Sequence, residues 1–171
     1  VAGSVNEDVC VSVDSFPEPG QTVRADSYDT AFGGKGANQA VALARLCEGS
    51  DKRVYLAGKV GGDQAGARNS AHLKECGIDT ALLAESGERT GTAIIEIERG
   101  GNNRIVIVAG ANGDIPPDWW ESLDLSRVGG NGARANGLTG VTVLFQLELP
   151  LPATERAIRL AAAAGAFVVL D

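Results

Sequence analysis

Two apolar runs, Val141–Leu147 and Ala166–Leu170, bracket a stretch of helix formers, Pro152–Ala164, and no other feature of the chain constrains its fold as much. A strand, a helix of this length and a second strand make a parallel pair with a crossover, and strands that are apolar throughout are buried on both faces. The same alternation recurs upstream. Tyr28–Phe32 reads as a strand running into Gly33-Gly34-Lys35-Gly36, followed by a helix over Ala37–Leu46; Arg53–Lys59 reads as a strand, followed by a helix from Gln64 to Cys76 capped by Asp63. Such alternation defines an α/β class with a parallel sheet covered on both sides.

A β appendage departs from that pattern. Val9–Val13 alternates apolar and polar residues, and Phe16-Pro17-Glu18-Pro19-Gly20 makes a turn. Thr92–Ile97 and Arg104–Ala109 form a hairpin around Arg99–Asn103 with no intervening helix. Pro116-Pro117-Asp118 opens a further helix through Leu123, and Asp114 is expected to act as a helix cap like Asp63. The glycine-rich stretch Val128–Gly140 reads as a surface loop. Within it, Gly130–Ala135 fits a loose dinucleotide fingerprint but precedes a strand instead of following one, and is rejected.

Composition narrows the function classes. A length of 171 residues suits one domain, and no apolar run approaches the roughly 20 residues of a membrane helix. The net charge of −7 with scattered basic residues argues against a nucleic-acid partner. Cys10, Cys47 and Cys76 are odd in number and far apart, which excludes a disulfide framework, and with His72 as the sole further soft ligand no zinc site is legible. The cysteines lack a basic neighbour in sequence, and His72 is read as a surface residue of its helix. Val1–Val5 has neither the basic flank nor the length of a secretion signal, and the chain does not open on Met, so its start is expected to have been removed or never included. A reducing, cytoplasmic setting follows from the cysteine usage.

Three polar clusters stand where strands are expected to end: Asn6-Glu7-Asp8, Gly33 through Asn38, and Gln146-Leu147-Glu148. Asn6 and Asp8, two apart on extended backbone, point the same way and suit a vicinal diol, or else belong to a turn. Gly33, Gly34 and Gly36 admit a ligand to the backbone at a helix N-terminus with free N–H groups, and Lys35 adds a mobile charge; a tight strand-to-helix connection explains the glycines equally. Gly36 after Lys35 excludes a Walker A loop, and Gln39 excludes the dinucleotide fingerprint. Glu148, between Leu147 and Leu149, is either solvated by the following turn or held by a sugar hydroxyl or by Lys35.

Several stretches together resemble the ribokinase group of the phosphofructokinase-B family of sugar kinases. They are Gly3–Asp8, Phe16–Val23, Ala31–Ala40, Val60–Gly66, Thr90–Ala93, Ala109–Asn112 and Gln146–Glu148, in the family's order and over nearly the whole chain. The resemblance implies a Rossmann-like αβα sandwich with a small β-sheet lid, formed by strands around 9–32 and 90–110, with residues 1–171 as the N-terminal part of a single domain. It implies ATP-dependent phosphorylation of D-ribose to D-ribose 5-phosphate, with Mg²⁺ on the phosphates and K⁺ nearby. Asn6, Asp8, Gly34, Lys35, Gly36, Asn38 and Glu148 then match sugar-binding positions, and Ile95 and Val106 match lid contacts to the sugar. The family's Gly-Ala-Gly-Asp and Asn-x-x-Glu motifs do not occur here, so the catalytic base, the nucleotide site and the metal ligands are expected beyond Asp171. A non-catalytic sugar-binding half-domain, or a kinase for another furanose or nucleoside, stays open. Both faces of the hairpin carry apolar residues: Ala93, Ile95 and Ile97 on one side, Ile94 with Val106 and Val108 on the other. That pattern leads to the expectation of a homodimer through the lids.

Overall fold

The computed structural model describes residues 1–125, 128 and 137–171. Most of the expected Val128–Gly140 loop, including the Gly130–Ala135 stretch, lies outside the described residues.

The chain begins in the middle of its main sheet. Ala2 bridges in parallel to Ala57 on one side and to Phe145 on the other. Sequence reading did not mark Val1–Val5 as a strand because small residues replace the apolar run that would announce one. The chain then enters a lid through β1 (Asn6–Val13) and β2 (Ser27–Gly33), and returns in α1 (Lys35–Leu46). The expected strand Arg53–Lys59 is split into β3 (Val54–Tyr55) and β4 (Gly58–Gly61), followed by α2 (Gln64–Glu75). Two short strands not foreseen from the sequence, β5 (Ile78–Asp79) and β6 (Leu83–Ser86), pair in parallel with β3 and β4 respectively. The hairpin β7 (Gly91–Glu98) and β8 (Asn103–Val108) precedes β9 (Thr142–Phe145), α3 (Leu151–Ala163) and β10 (Phe167–Leu170). β9 and β10 pair in parallel, as the βαβ pattern requires.

Alternation within one stretch shows how a two-faced core arises. Val54 and Leu56 pack with Val5, Ala40 and Leu73 on the side of α1 and α2. Tyr55 and Ala57 turn the other way, toward Phe145, Trp120, Ile115 and the buried alanines Ala153, Ala157 and Ala161 of α3. The expected Pro116–Leu123 helix is only a 3₁₀ turn, Trp119–Ser122.

The lid is a separate four-stranded sheet in the order β2-β1-β7-β8. β1 runs antiparallel to β2 and parallel to β7, and β7 runs antiparallel to β8. Its register sorts the side chains. Asp8 lies opposite Ala31 and Ala93, and Cys10 opposite Ile95; Glu7 lies opposite Phe32 and Thr92, and Val9 opposite Ile94. Partners share a face, so Asp8, Ala93, Ile95, Ile105 and Ile107 look one way, while Glu7, Phe32, Ile94, Val106 and Val108 look the other.

Candidate functional site

The site forms where the main sheet hands the chain to the lid. Asn6 sits at the carboxyl end of the Val1–Val5 segment and at the start of β1, and its side chain is buried. Its Oδ1 accepts from Asn112 Nδ2 at 2.8 Å, which leaves its NH₂ as the remaining donor. Asn112 also accepts from the Val5 amide at 2.9 Å and donates to the Val5 carbonyl at 3.1 Å, locking the hinge strand from the exit of the hairpin. Gly91 makes this possible: a Cβ there would meet Asn112 Nδ2 at 2.1 Å and Asn6 Oδ1 at 2.4 Å.

Asp8, two residues on, shares the inner face with Asn6. Its carboxylate lies over Gly33, where a Cβ would meet Asp8 Oδ1 at 2.1 Å. Burial pushes the Asp8 carboxyl above its ordinary value, and the nearby charge of Glu148 pushes it further.

The glycine cluster is a close approach of backbones. Gly34 takes φ 90°, and a Cβ on it would meet Ser4 O at 2.7 Å and Asn6 N at 2.8 Å. The N-terminus of α1 is not free, contrary to the sequence expectation. Lys35 N donates to Glu148 Oε2 at 3.0 Å, Gly36 N to Ser4 Oγ at 3.4 Å and Ala37 N to the Ser4 carbonyl at 2.9 Å. Ser4 Oγ in turn donates to Glu148 Oε2 at 2.6 Å. A carboxylate from the distant end of the sequence therefore serves as the missing acid at this helix start. The Lys35 backbone, and not its side chain, is the partner of Glu148. The Lys35 side chain is exposed.

Ser4, Asn6, Ile107, Ala109, Asn112, Leu147 and Glu148 line a cleft of about 240 Å³. Two sequence assignments change here. Val106 lies opposite Ile94 and so stands on the face away from Asp8, because strand side chains alternate; Ile107 is the β8 residue that reaches the cleft. Asn38 lines a different cleft, of about 330 Å³, shared with Phe32, Val41, Arg45, Asn69 and His72 between α1 and α2. Ile95 keeps the expected inner face. Ser4, Asn112 and Ile107 were not assigned roles from the sequence. The Ala109–Asn112 stretch was the signal for Asn112, and alternation along β8 was the signal for Ile107.

Neighbouring residues support the site from outside. Asp63 caps α2 as expected, accepting from Gly66 N at 2.8 Å, and also receives Thr90 N at 3.0 Å and Thr90 Oγ1 at 2.6 Å. Burial alone would raise its carboxyl, but these hydrogen bonds and Arg89 hold it below the usual range. Asp114 caps no helix; it accepts from Ser86 Oγ at 2.6 Å and Lys59 Nζ at 3.0 Å, which together lower its carboxyl. His72 is not a free surface residue. It stacks on Phe32 with centroids 4.0 Å apart, and its Nε2 lies 3.7 Å from Cys76 Sγ, so Cys76 does have a basic neighbour one helical turn away. All three cysteines are free thiols. Among the described residues, no three His, Cys, Asp or Glu side chains gather so as to hold a metal ion, and no helix is long and apolar enough to cross a membrane.

An αβα sheet and a β lid meet at a hinge cleft lined by Glu148 and the buried amide pair Asn6 and Asn112, with Asp8 near Glu148 on the lid. The chain belongs to the pfkB family of carbohydrate kinases, whose model matches residues 1–171. It is 34% identical to a ribokinase of Schizosaccharomyces pombe and 36% identical to one of Haemophilus influenzae, in each case over 100% of this chain and 52% of the relative. The structure of an Arabidopsis thaliana ribokinase complexed with ribose and ATP superposes with a TM-score of 0.78 at 31% identity, covering 99% of this chain and 51% of that one. The chain thus spans about half the length of the curated relatives it matches.

Proposed function

We propose that these residues form the sugar-binding half of a ribokinase, in which the γ-phosphoryl group of ATP passes to D-ribose to give ADP and D-ribose 5-phosphate. The observation that carries this reading is the pairing of Asp8 and Glu148. Asp8 on the lid lies near enough to Glu148 for that charge to raise its carboxyl, and Glu148 Oε2 is already engaged with Ser4 and Lys35 N. Like charges brought together in a drying cleft are costly unless something with several O–H donors lies between them. A pentose supplies those donors. In this reading Asp8 and Glu148 accept from hydroxyls, the Asn6 NH₂ donates to one, and Gly34 and Gly36 seat α1 against Gly3, Ser4 and Asn6 so that these groups converge. Lys35 closes the edge from α1, Asn38 stands apart in the cleft between α1 and α2, and Ile95 and Ile107 cover the apolar side of the sugar.

Residues 1–171 form one half of a single domain in this proposal, and the base that accepts the hydroxyl proton is assigned to residues beyond Asp171. Mg²⁺ and K⁺ accompany the reading with no ligand assigned in this chain. The outer lid face, with Ile94, Val106, Val108 and Tyr28 exposed, is assigned to a homodimer contact, and the cytoplasm is the expected setting.

The test is carried out on the complete reading frame that contains these residues. Asp8→Asn and Glu148→Gln each replace a charged acceptor with an amide, and each should lower kcat/KM for ribose by roughly 10- to 150-fold with the circular dichroism unchanged. Wild-type kcat/KM in both variants would remove the sugar site proposed here.

A further inference from the structure

The lid is held from behind as well as from its inner face. Arg68 and His72 stand one turn apart on α2 and so project from the same side of that helix. Each reaches a lid strand: Arg68 pairs with Glu7 of β1, and His72 stacks on Phe32 of β2 with rings 4.0 Å apart and 6° from parallel. Glu7 and Phe32 are direct partners in the β1–β2 ladder, so α2 grips one rung of the lid at its outer face. The next residue on each strand turns to the inner face and belongs to the site. Asp8 follows Glu7, Gly33 follows Phe32, and the Asp8 carboxylate lies over Gly33.

We propose that α2 acts as a strut that sets the rest position of the lid, with Arg68 and His72 as positioning residues for Asp8. The cleft of about 330 Å³ beneath the Phe32–His72 stack shows why packing alone does not fix this edge. The ring pair borders open space toward Asn38, Val41 and Arg45, so the stack and the ion pair define where the rung sits. Neither Arg68 nor His72 approaches the cleft of Asn6 and Glu148, and their influence on it passes through the Glu7–Phe32 rung. The strut stands on geometry alone; only its effect on sugar kinetics rests on the ribose reading.

The experiment uses the Arg68→Gln, His72→Ala double variant of the complete protein, with hydrogen–deuterium exchange of the unliganded form followed by ribose kinetics. Exchange of peptides from Val9–Val13 and Ser27–Phe32 should quicken by roughly three- to thirtyfold, while peptides of β9 and β10 keep their wild-type rates. KM for ribose should rise by a similar factor with kcat within about twofold, as expected when binding geometry and not chemistry is disturbed. Arg68→Lys with His72→Phe keeps a cation and a flat ring and should restore both readouts. Unchanged lid exchange, a uniform rise across β9 and β10 as well, or no rescue by the conservative pair overturns the strut. Quickened lid exchange in a protein that shows no ribose turnover keeps the strut and overturns the ribose reading instead.

Discussion

The centre of the main sheet and the lid are written in nearly the same residues, and their surroundings differ. In the main sheet, Val5 and Leu56 have no exposed surface, and α1 and α3 contribute Ala40 and Ala153 that are equally enclosed. In the lid, every residue of β8 is exposed, and so is β2 from Ser27 to Phe32. Ile105, Val106, Ile107 and Val108 are apolar enough for a core and yet stand exposed, as Phe167 and Leu170 do on β10. Alternation and β-branching therefore specify a strand without specifying what covers it. The central main-sheet strands find their cover within the chain, and β10 at the edge does not. Under the proposed function a lid strand meets a ligand on one face, and α2 or a second copy on the other.

The contrast is broken most severely at the joint. Gly34 holds a positive φ, and its Cα faces Ser4 O and Asn6 N, both backbone atoms that cannot swing aside. Gly34→Ala combines backbone strain with overpacking, which together cost about 2–5 kcal/mol. Urea unfolding should show this loss in the main sheet, because the Ala37–Ser4 hydrogen bond that seats α1 lies beside the substitution. A variant with unaltered midpoint would mean that the joint is looser than its contacts imply.

An intermediate effect is expected on the outer lid face. Ile94 and Val108 are exposed and share that face with Val106, and the Arg104–Glu96 ion pair at 2.6 Å lies farther along it. If a second copy covers this patch, Ile94→Asp with Val108→Asp places unpaired charge in the contact, at a cost of about 3 kcal/mol or more. Sedimentation at micromolar concentration should then change from dimer to monomer, while thermal unfolding of the separated protomer hardly moves. A wild-type monomer, or a dimer that survives both substitutions, rules out the lid-to-lid arrangement.

How much of this was legible in the sequence follows the same division. The βαβ ending, the two main helices, the Asp63 cap and the hairpin could be read because each rests on local pattern or local chemistry. The central Val1–Val5 segment could not, since its small residues are chosen to let α1 approach: a Cβ on Gly36 would meet Gly3 C at 2.5 Å. Glu148 was marked as a carboxylate needing a partner, but that partner is Ser4 and the backbone of Lys35, more than a hundred residues away in sequence. The assignment of Val106 failed on a single step of strand parity, which register alone decides. Helix position places His72 near the surface and says nothing about a ring arriving from another strand.

The smallest effect sharpens the comparison most, because it asks whether lid and main sheet face each other across one cleft. Asp8 belongs to the lid and Glu148 to the main sheet, and Asp8 holds its proton more tightly than an ordinary aspartate, first through burial and then through Glu148. Since the folded form keeps this proton better than the unfolded chain, ionising Asp8 takes away stability as pH rises from the ordinary aspartate range through the raised value. Under the proposed function, ribose capture runs in the opposite sense, because the ionised carboxylate is the better acceptor. The kcat/KM for ribose should therefore fall on the acid side with a midpoint above the usual aspartate value, and Asp8→Asn should flatten that limb at a uniformly low rate. Glu148→Gln removes one negative charge and leaves the burial in place, so the midpoint should move toward lower pH without reaching the ordinary value. An acid limb that stays put in Glu148→Gln would mean that Asp8 does not sense the main-sheet carboxylate, and that the two do not share a ligand.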